Sequence, residues 1–146
     1  MTNPFQDTYE NRLRSWSQLR KHVKPLPLEQ ACIAIDEWWQ QAPLITNHFH
    51  PNDSENWTDP WTLLLENQYC LLTRAIGICY TLIMIGDIDL QLVEANDTQC
   101  ESHYLVLVNG AKYTLNYWPD SVISTPLSEF SIIKTLPIVS IRNKIK

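Results

Sequence analysis

The sequence predicts an α+β fold in which N-terminal helices pack on an antiparallel sheet. Apolar residues recur at three- and four-residue steps in the first part of the chain, which is the period of an amphipathic helix. Later segments are short and rich in β-branched and aromatic residues, which is typical of strands. Asn109-Gly110 lies between two such segments and is a strong hairpin signal. Helices followed by hairpin-connected strands indicate the α+β class.

The composition predicts one domain over residues 1–146 and argues against several kinds of function. The net charge of −5 disfavours a nucleic-acid partner, because phosphate binding needs a basic excess. The longest uncharged apolar stretch, residues 75–86, is shorter than the roughly 20 residues that span a bilayer, so no membrane contact is expected. The domain divides into a helical part with a connecting loop (1–58), a core (59–120) and a C-terminal extension (121–146).

The N-terminus has no basic start followed by an apolar run, so no signal peptide is expected. The cysteines are then most simply thiols in a reducing compartment.

Two helices are expected before the core. Residues 11–24 and 28–41 both carry apolar side chains at helical spacing, and a proline follows each of them. Trp38 and Trp39 are adjacent, and two neighbouring residues of one helix do not share a face. One of the two indoles is therefore expected at a boundary, covered by a loop or by a partner. Residues 42–58 are expected to form an irregular connection.

A third helix and a run of strands are expected to follow. Asp59-Pro60 is typical of a helix start, since Asp is favoured at the N-cap and Pro at the first helical position. Helical spacing is expected to continue from there, with a break, through Leu64, Cys70 and Ile76, and Gly77 is a natural end for it. The apolar run 78–85 is expected to be a buried central strand. Further strands are expected at residues 90–95, 103–108, 111–118 and 137–141.

The hairpin predicts a pair of site residues. With a two-residue turn at Asn109-Gly110, Val108 pairs with Ala111, and His103 lies directly opposite Asn116. Directly opposed side chains have Cβ atoms about 4.5–5.5 Å apart, close enough for an amide to orient an imidazole. A histidine held in this way and facing a thiol is the Cys-His-Asn arrangement of nucleophilic acyl transfer.

Cys70 is the candidate nucleophile. It is expected to open the helix that leads into the central strand, and the free N–H groups of a helix N-terminus favour a thiolate and can stabilise an oxyanion. Cys79 lies in an apolar run, Cys32 in an amphipathic helix and Cys100 in a polar loop.

The order of these parts resembles the transglutaminase-like branch of the papain-like cysteine fold. The resemblance rests on Cys70-Leu-Leu-Thr-Arg-Ala-Ile-Gly-Ile, followed by strands that carry His103 and Asn116, and it covers about residues 57–120. It implies that Cys70 attacks an amide or ester carbonyl, that His103 moves the proton and that Asn116 orients His103. The sequence departs from the family pattern after the histidine, where Tyr104 stands instead of a small residue.

The segment Glu55–Leu65 with Tyr69-Cys70 is similar to small proteins of tailed bacteriophages. This similarity implies a virion or host-cytoplasm location and protein partners, either phage structural proteins or further copies of the chain. The alternative to an acyl-transfer enzyme is therefore a non-catalytic structural protein of a tail, neck or baseplate.

A metal site is a further alternative. Cys100, His103, His48 and His50 supply ligand types for zinc, but they lack the two tight pairs that zinc sites usually show. Neither a metal nor another cofactor is expected.

Overall fold

The protein is described here by a computed structural model, which covers residues 3–44, 51–117 and 130–145. Among these residues the α-helices and strands are segregated, with four α-helices before a four-stranded antiparallel sheet and one short helix after it, so the predicted α+β class is confirmed. The helices are α1 (Tyr9–Val23), α2 (Leu28–Gln40), α3 (Pro60–Glu66), α4 (Leu71–Ile85) and α5 (Ile138–Asn143). The strands are β1 (Leu90–Asn96), β2 (Ser102–Val108), β3 (Tyr113–Leu115) and β4 (Ser131–Leu136). They form one sheet in the order β3-β2-β1-β4.

The starts of α1 and α3 follow from local hydrogen bonding. Thr8 caps α1 by accepting a hydrogen bond from the N–H of Asn11, and Asp59 caps α3 by accepting one from Thr62. Such caps satisfy N–H groups that have no partner inside the helix. Both predicted N-terminal helices, and the predicted start at Asp59-Pro60, lie where the sequence indicated.

The predicted central strand at residues 78–85 is wrong, because this run belongs to α4. Gly77 does not end a helix but lies inside one, with the Trp39 ring against it: a Cβ on Gly77 would lie 2.4 Å from Trp39 Cη2. The glycine at this position makes room for the Trp39 ring and does not mark the end of a helix. The β-branched residues that follow are compatible with a helix because α4 is buried on nearly all sides, so its apolar residues show no amphipathic period.

Both neighbouring tryptophans of α2 are buried, and of the two covers expected for the second indole, a loop or a partner, the structure shows a segment of the same chain. Trp39 packs on α4, and its indole N–H donates to Thr81 Oγ1 at 3.0 Å. Trp38 is covered by Phe5, with ring centroids 4.8 Å apart, and donates to Ser15 Oγ at 3.1 Å. The N-terminal segment before α1 therefore supplies the cover for the second indole.

The predicted register of the hairpin is also wrong. Val108 pairs with Tyr113 and not with Ala111, so the turn contains four residues instead of two. Asn109, Gly110 and Ala111 have φ values of 58°, 65° and 68°, and this succession of left-handed residues makes the turn longer than a type I′ turn. In this register the residue opposite Val106 is Leu115.

The C-terminal strand also differs from its predicted position. Residues 137–141 were expected to be a strand, but Pro137 precedes α5, and the strand is β4, just before it. β4 pairs with β1, with an irregular register between Glu94 and Ala95. The last residue of the predicted strand 111–118 lies outside the described residues. No helix among the described residues is long and apolar enough to cross a membrane.

The sheet has two apolar faces. One packs on the helices and carries Leu90, Leu92, Val106, Val108 and Leu115. The other forms a separate cluster with Val93, Ala95, Leu105, Leu107 and Phe130. Because the side chains of β2 alternate between these two faces, only those on the helix-facing side can contact the start of α4.

Candidate functional site

Cys70 is the residue at which α4 begins. It occupies the N-cap position, and its N–H donates to Thr73 Oγ1 at 2.7 Å, while Thr73 Oγ1 lies 3.6 Å from Cys70 Sγ. The side chain is 3% exposed. The predicted placement of this thiol at a helix N-terminus therefore matches the structure, and the thiol lies in the helix-facing core.

Asn116 is hydrogen-bonded to three elements of the fold, including the first residue of α4. Its Nδ2 donates to the carbonyl oxygen of Leu71 at 3.0 Å and to that of Tyr104 at 2.8 Å. Its backbone N–H donates to Asp36 Oδ1 at 2.9 Å. Asn116 has a φ of 68°, a conformation that asparagine tolerates better than most residues. The structure thus brings Asn116 to the first residue of the helix that Cys70 caps.

The side chain of His103 lies on the other face of the sheet. It pairs with Ala95 across β1, and its ring contacts Tyr117 at 5.2 Å and Phe130 at 5.7 Å between centroids. Ala95 and Phe130 belong to the cluster on the face that the helices do not cover. The structure therefore does not bring the His103 ring to the helix-facing side on which Cys70 lies. It also corrects the expected pairing of His103 directly opposite Asn116, because the register places Leu115 against Val106.

The partner of His103 is Asp97, the residue that follows β1. Nε2 of His103 and Oδ2 of Asp97 are 2.9 Å apart, and this hydrogen bond is the main cause that lowers the pKa of Asp97. Asp97 Oδ1 accepts from the N–H groups of Gln99 and Glu101. His103 and Asp97 therefore hold the connection between β1 and β2.

Tyr104 is the β2 residue that faces the start of α4, and sequence reasoning missed it as a site residue. Successive side chains of a strand point to opposite faces, so Tyr104 shares the helix-facing side with Val106. Burial raises the pKa of the Tyr104 hydroxyl, with contributions from Glu94 and Cys70. The alternation of side chains along β2 could have identified Tyr104, because Val106 and Val108 lie on the same face of the strand and are buried in the core.

A buried carboxyl group lies behind the site. Asp36 on α2 is 1% exposed, and burial raises its pKa to about 6, although the N–H of Asn116, Arg74 and Gln40 act in the opposite direction. Arg74 donates to the carbonyl oxygens of Gln40 and Ala42, and burial lowers the pKa of its guanidinium. Asp36 and Arg74 thus connect α2 to the helix that Cys70 begins.

The remaining cysteines differ sharply in environment. Cys32 and Cys79 are fully buried, and burial raises the pKa of each to about 12. Cys100 is exposed, in a turn where its φ is 62°. The environments of Cys32 and Cys79 are those of apolar core residues, in which a thiol stays protonated and unreactive. For Cys79 the apolar run around it already indicated this.

Within the described part of the chain, Asp97, Glu101 and His103 form the group that offers metal-ligand atoms within 4.8 Å of one another. Cys100 is not among them, and His48 and His50, which the zinc alternative required, lie outside the described residues. His103 already uses one ring nitrogen on Asp97. This hydrogen bond, and the turn between β1 and β2 that it stabilises, explain why the three side chains lie close together.

A cysteine at the head of a buried helix, packed on an antiparallel sheet whose third strand ends at a polar side chain, defines a transglutaminase-like core. Solved structures similar to this chain include Legionella pneumophila LapG in its calcium-bound form, at 14% identity and a TM-score of 0.72, with 90% of this chain and 77% of that chain covered. The EGTA-treated form of the same protein matches at 16% identity and a TM-score of 0.70, with 88% and 74% covered. At this identity the similarity establishes the fold.

No protein-family model matches the sequence. No curated protein matches it either.

Proposed function

We propose that this chain is a non-catalytic protein that uses the transglutaminase-like fold for contacts with other protein subunits. The observation that carries the proposal is the arrangement around Cys70, where β2 presents Tyr104 and not His103. A phenol has an unperturbed pKa near 10, so it does not exchange protons readily at neutral pH as an imidazole does. Burial raises the pKa of Tyr104 further, so still less phenolate is present at neutral pH to accept a proton from a thiol.

Subunit contact is supported by apolar side chains that remain on the surface. Trp61 and Leu65 are 40% and 56% exposed and lie one turn apart on α3, so they form one continuous apolar surface. Interfaces are enriched in aromatic side chains such as Trp61. The tailed-phage setting, with further copies or other virion proteins as partners, stays a prediction from the sequence resemblance.

The second candidate function is acyl transfer by Cys70, His103 and Asn116. The position of Cys70 at the N-terminus of α4, with the Asn116 amide at the next residue, favours it. In this mechanism Cys70 Sγ attacks a carbonyl carbon, the imidazole takes the thiol proton and returns it to the leaving group, and helix N–H groups bind the oxyanion. It requires the β2 end to reorganise so that His103 reaches the helix-facing side.

The rate of iodoacetamide labelling against pH, with the labelled cysteine located by mass spectrometry, separates the two functions. For a non-catalytic chain, Cys70 labels slowly below pH 7, and His103→Ala leaves its rate unchanged. Fast labelling of Cys70 below pH 7 that His103→Ala abolishes would establish a thiolate–imidazolium pair and overturn the proposal.

Tyr104→His provides a positive control for this experiment. The substitution places an imidazole on the β2 position that faces the start of α4, next to Cys70. We expect it to raise the labelling rate of Cys70 near neutral pH, since an adjacent base increases the thiolate fraction. His103→Ala in the Tyr104→His background should leave this increase in place.

Subunit contact is tested separately by sedimentation velocity at increasing protein concentration. Self-association that Trp61→Ala weakens, and that Val139→Ala does not, supports the α3 surface as the contact. Val139 is the matched control because it is 63% exposed but lies on α5.

A further inference from the structure

A cavity with basic walls lies at the opposite end of α4 from Cys70. It has a volume of about 170 Å³ and is lined by Ser17, Arg20, Lys21 and Lys24 of the α1 side and by Met84 and Ile85 of α4. The 15 residues of α4 span about 22 Å at 1.5 Å per residue, so this cavity is remote from the candidate site.

The polar residues of the cavity follow one face of α1. Arg20 and Lys21 lie three and four positions after Ser17, and Lys24 lies four and three positions after them, which is the spacing of neighbours on a helix surface. The chain as a whole carries a net charge of −5, yet three cationic side chains lie around this one small cavity. This local concentration of positive charge is what a compact anion would recognise.

Arg20 is held in place without a counter-ion. Its guanidinium carbon lies 4.2 Å from the centroid of the Trp16 ring, and its Nε is buried with no hydrogen-bond partner. Burial lowers the Arg20 pKa, which is the effect of removing a cation from water without pairing it. Among residues 3–44, 51–117 and 130–145, no carboxylate lies within 4.0 Å of Arg20, Lys21 or Lys24.

The helix termini at the cavity offset only part of this positive charge. The last turns of α1 and α4 both border the cavity, and the carbonyl end of a helix carries about half a negative charge. Two such ends offset about one of the three cationic charges. The excess leaves the cavity positive toward a ligand, and Ser17 adds a hydroxyl group that can donate a hydrogen bond.

We infer that this cavity, the α1–α4 anion pocket, binds a compact oxyanion through Arg20, Lys21, Lys24 and Ser17. Its volume suits a single phosphate or carboxylate group, because whole drug-sized ligands occupy about 300–1,000 Å³. Met84 and Ile85 form an apolar wall, against which the carbon atoms that carry such a group can pack. Phosphate and carboxylate share the charge and the acceptor oxygens that a guanidinium recognises.

The test is isothermal titration of the whole chain with inorganic phosphate and, separately, with N-acetylglutamate, at a fixed sodium chloride concentration. Saturable 1:1 binding of either probe supports the pocket. Phosphate binding alone identifies a phosphate group as the ligand, and N-acetylglutamate binding alone identifies an acidic side chain. Absence of saturable binding of both probes at about 20 mM overturns the inference, since charge-assisted contacts of this number give a stronger affinity.

Variants locate the binding. Lys21→Gln with Lys24→Gln should weaken the affinity by about tenfold, and both side chains are exposed, so the fold does not depend on them. Arg20→Gln should weaken it further, with folding checked by circular dichroism because Arg20 packs on Trp16. Arg14→Gln removes the same charge from α1 outside the cavity and should leave the affinity within about twofold. Equal affinities in the double variant and in the wild type would place the anion elsewhere and refute the pocket.

Discussion

The ring of Trp39 lies directly against the backbone of Gly77. A Cβ added to Gly77 would lie 2.4–2.7 Å from three ring carbons of Trp39, which is closer than any real Cβ contact. α2 and α4 approach each other closely only because this position has no side chain. The contact fixes the helix that Cys70 begins against the rest of the core.

Gly77→Ala is expected to destabilise the protein by about 1–3 kcal/mol, measured as the free energy of unfolding in urea. Overpacking costs this much in a dense core, and it outweighs the gain of about 1 kcal/mol that Ala brings to a helix interior. Gly86→Ala is the matched control, because a Cβ there has no atom within 4 Å and its φ of 171° is extended backbone. A Gly77→Ala protein as stable as the wild type would show that Trp39 can move away at no cost.

Thr81 is the acceptor shared by two buried indoles. Trp16 and Trp39 donate to Thr81 Oγ1 at 2.9 and 3.0 Å, and this hydroxyl donates to the carbonyl oxygen of Gly77 at 2.9 Å. Thr81→Val keeps the shape but leaves two buried N–H groups without an acceptor, so we expect a loss of about 2–5 kcal/mol in the free energy of unfolding. Thr135→Val on the exposed part of β4 should change it by less than about 0.5 kcal/mol. Equal effects of the two substitutions would show that the shared acceptor does not contribute measurably to the stability of the core.

The helices before the site and the start of α4 could be predicted from the sequence, but the part of α4 after Gly77 could not. Amphipathic spacing and capping residues mark α1 and α3, because each has one face in water. α4 has water on almost no side, so its apolar residues give no period, and its β-branched residues resemble those of a strand. Gly77 added to the error, since its role depends on Trp39, a residue 38 positions earlier.

The candidate site could be predicted only in part, because the positions of His103 and Asn116 relative to each other depend on the turn between β2 and β3. Cys70 lies at a helix start, where local sequence signals act, and it was placed correctly. The β2–β3 register depends on the left-handed φ of Ala111, which is uncommon for a residue with a Cβ and gives no sequence signal. The face on which His103 lies follows from strand alternation against the core, so Val106 and Val108 were better guides than the hairpin turn.

The cysteines are expected to react in an order set by burial. Cys100 should react with a thiol reagent such as 5,5′-dithiobis(2-nitrobenzoic acid) in the folded protein, since it is exposed. Cys32 and Cys79 should react only on unfolding, because they are fully buried with pKa values raised to about 12. Mass spectrometry of the labelled peptides, with Cys100→Ser as the control, identifies each site. Labelling of Cys32 or Cys79 at the rate of Cys100 in the native state would show that α2 or α4 opens readily.

Asp36 is expected to make the stability of the protein fall as the pH rises from about 4 to about 6. Burial raises its pKa from 3.8 to about 6, so the folded state holds a proton that the unfolded state has already released in this window. A shift of about 2 pKa units corresponds to about 3 kcal/mol, present below the unfolded pKa and lost once the pH exceeds the folded one.

Asp36→Asn removes this titration and keeps the shape of the side chain. Relative to the wild type, the variant should therefore gain about 3 kcal/mol in the free energy of unfolding between pH 4 and pH 7. Glu29→Gln, an exposed carboxyl on the same helix, should leave the wild-type pH dependence in place. Urea unfolding at unit pH intervals measures the difference. A difference that does not change with pH would mean that the Asp36 carboxyl titrates near its ordinary value, with the N–H of Asn116 and Arg74 stabilising the charged form enough to offset burial.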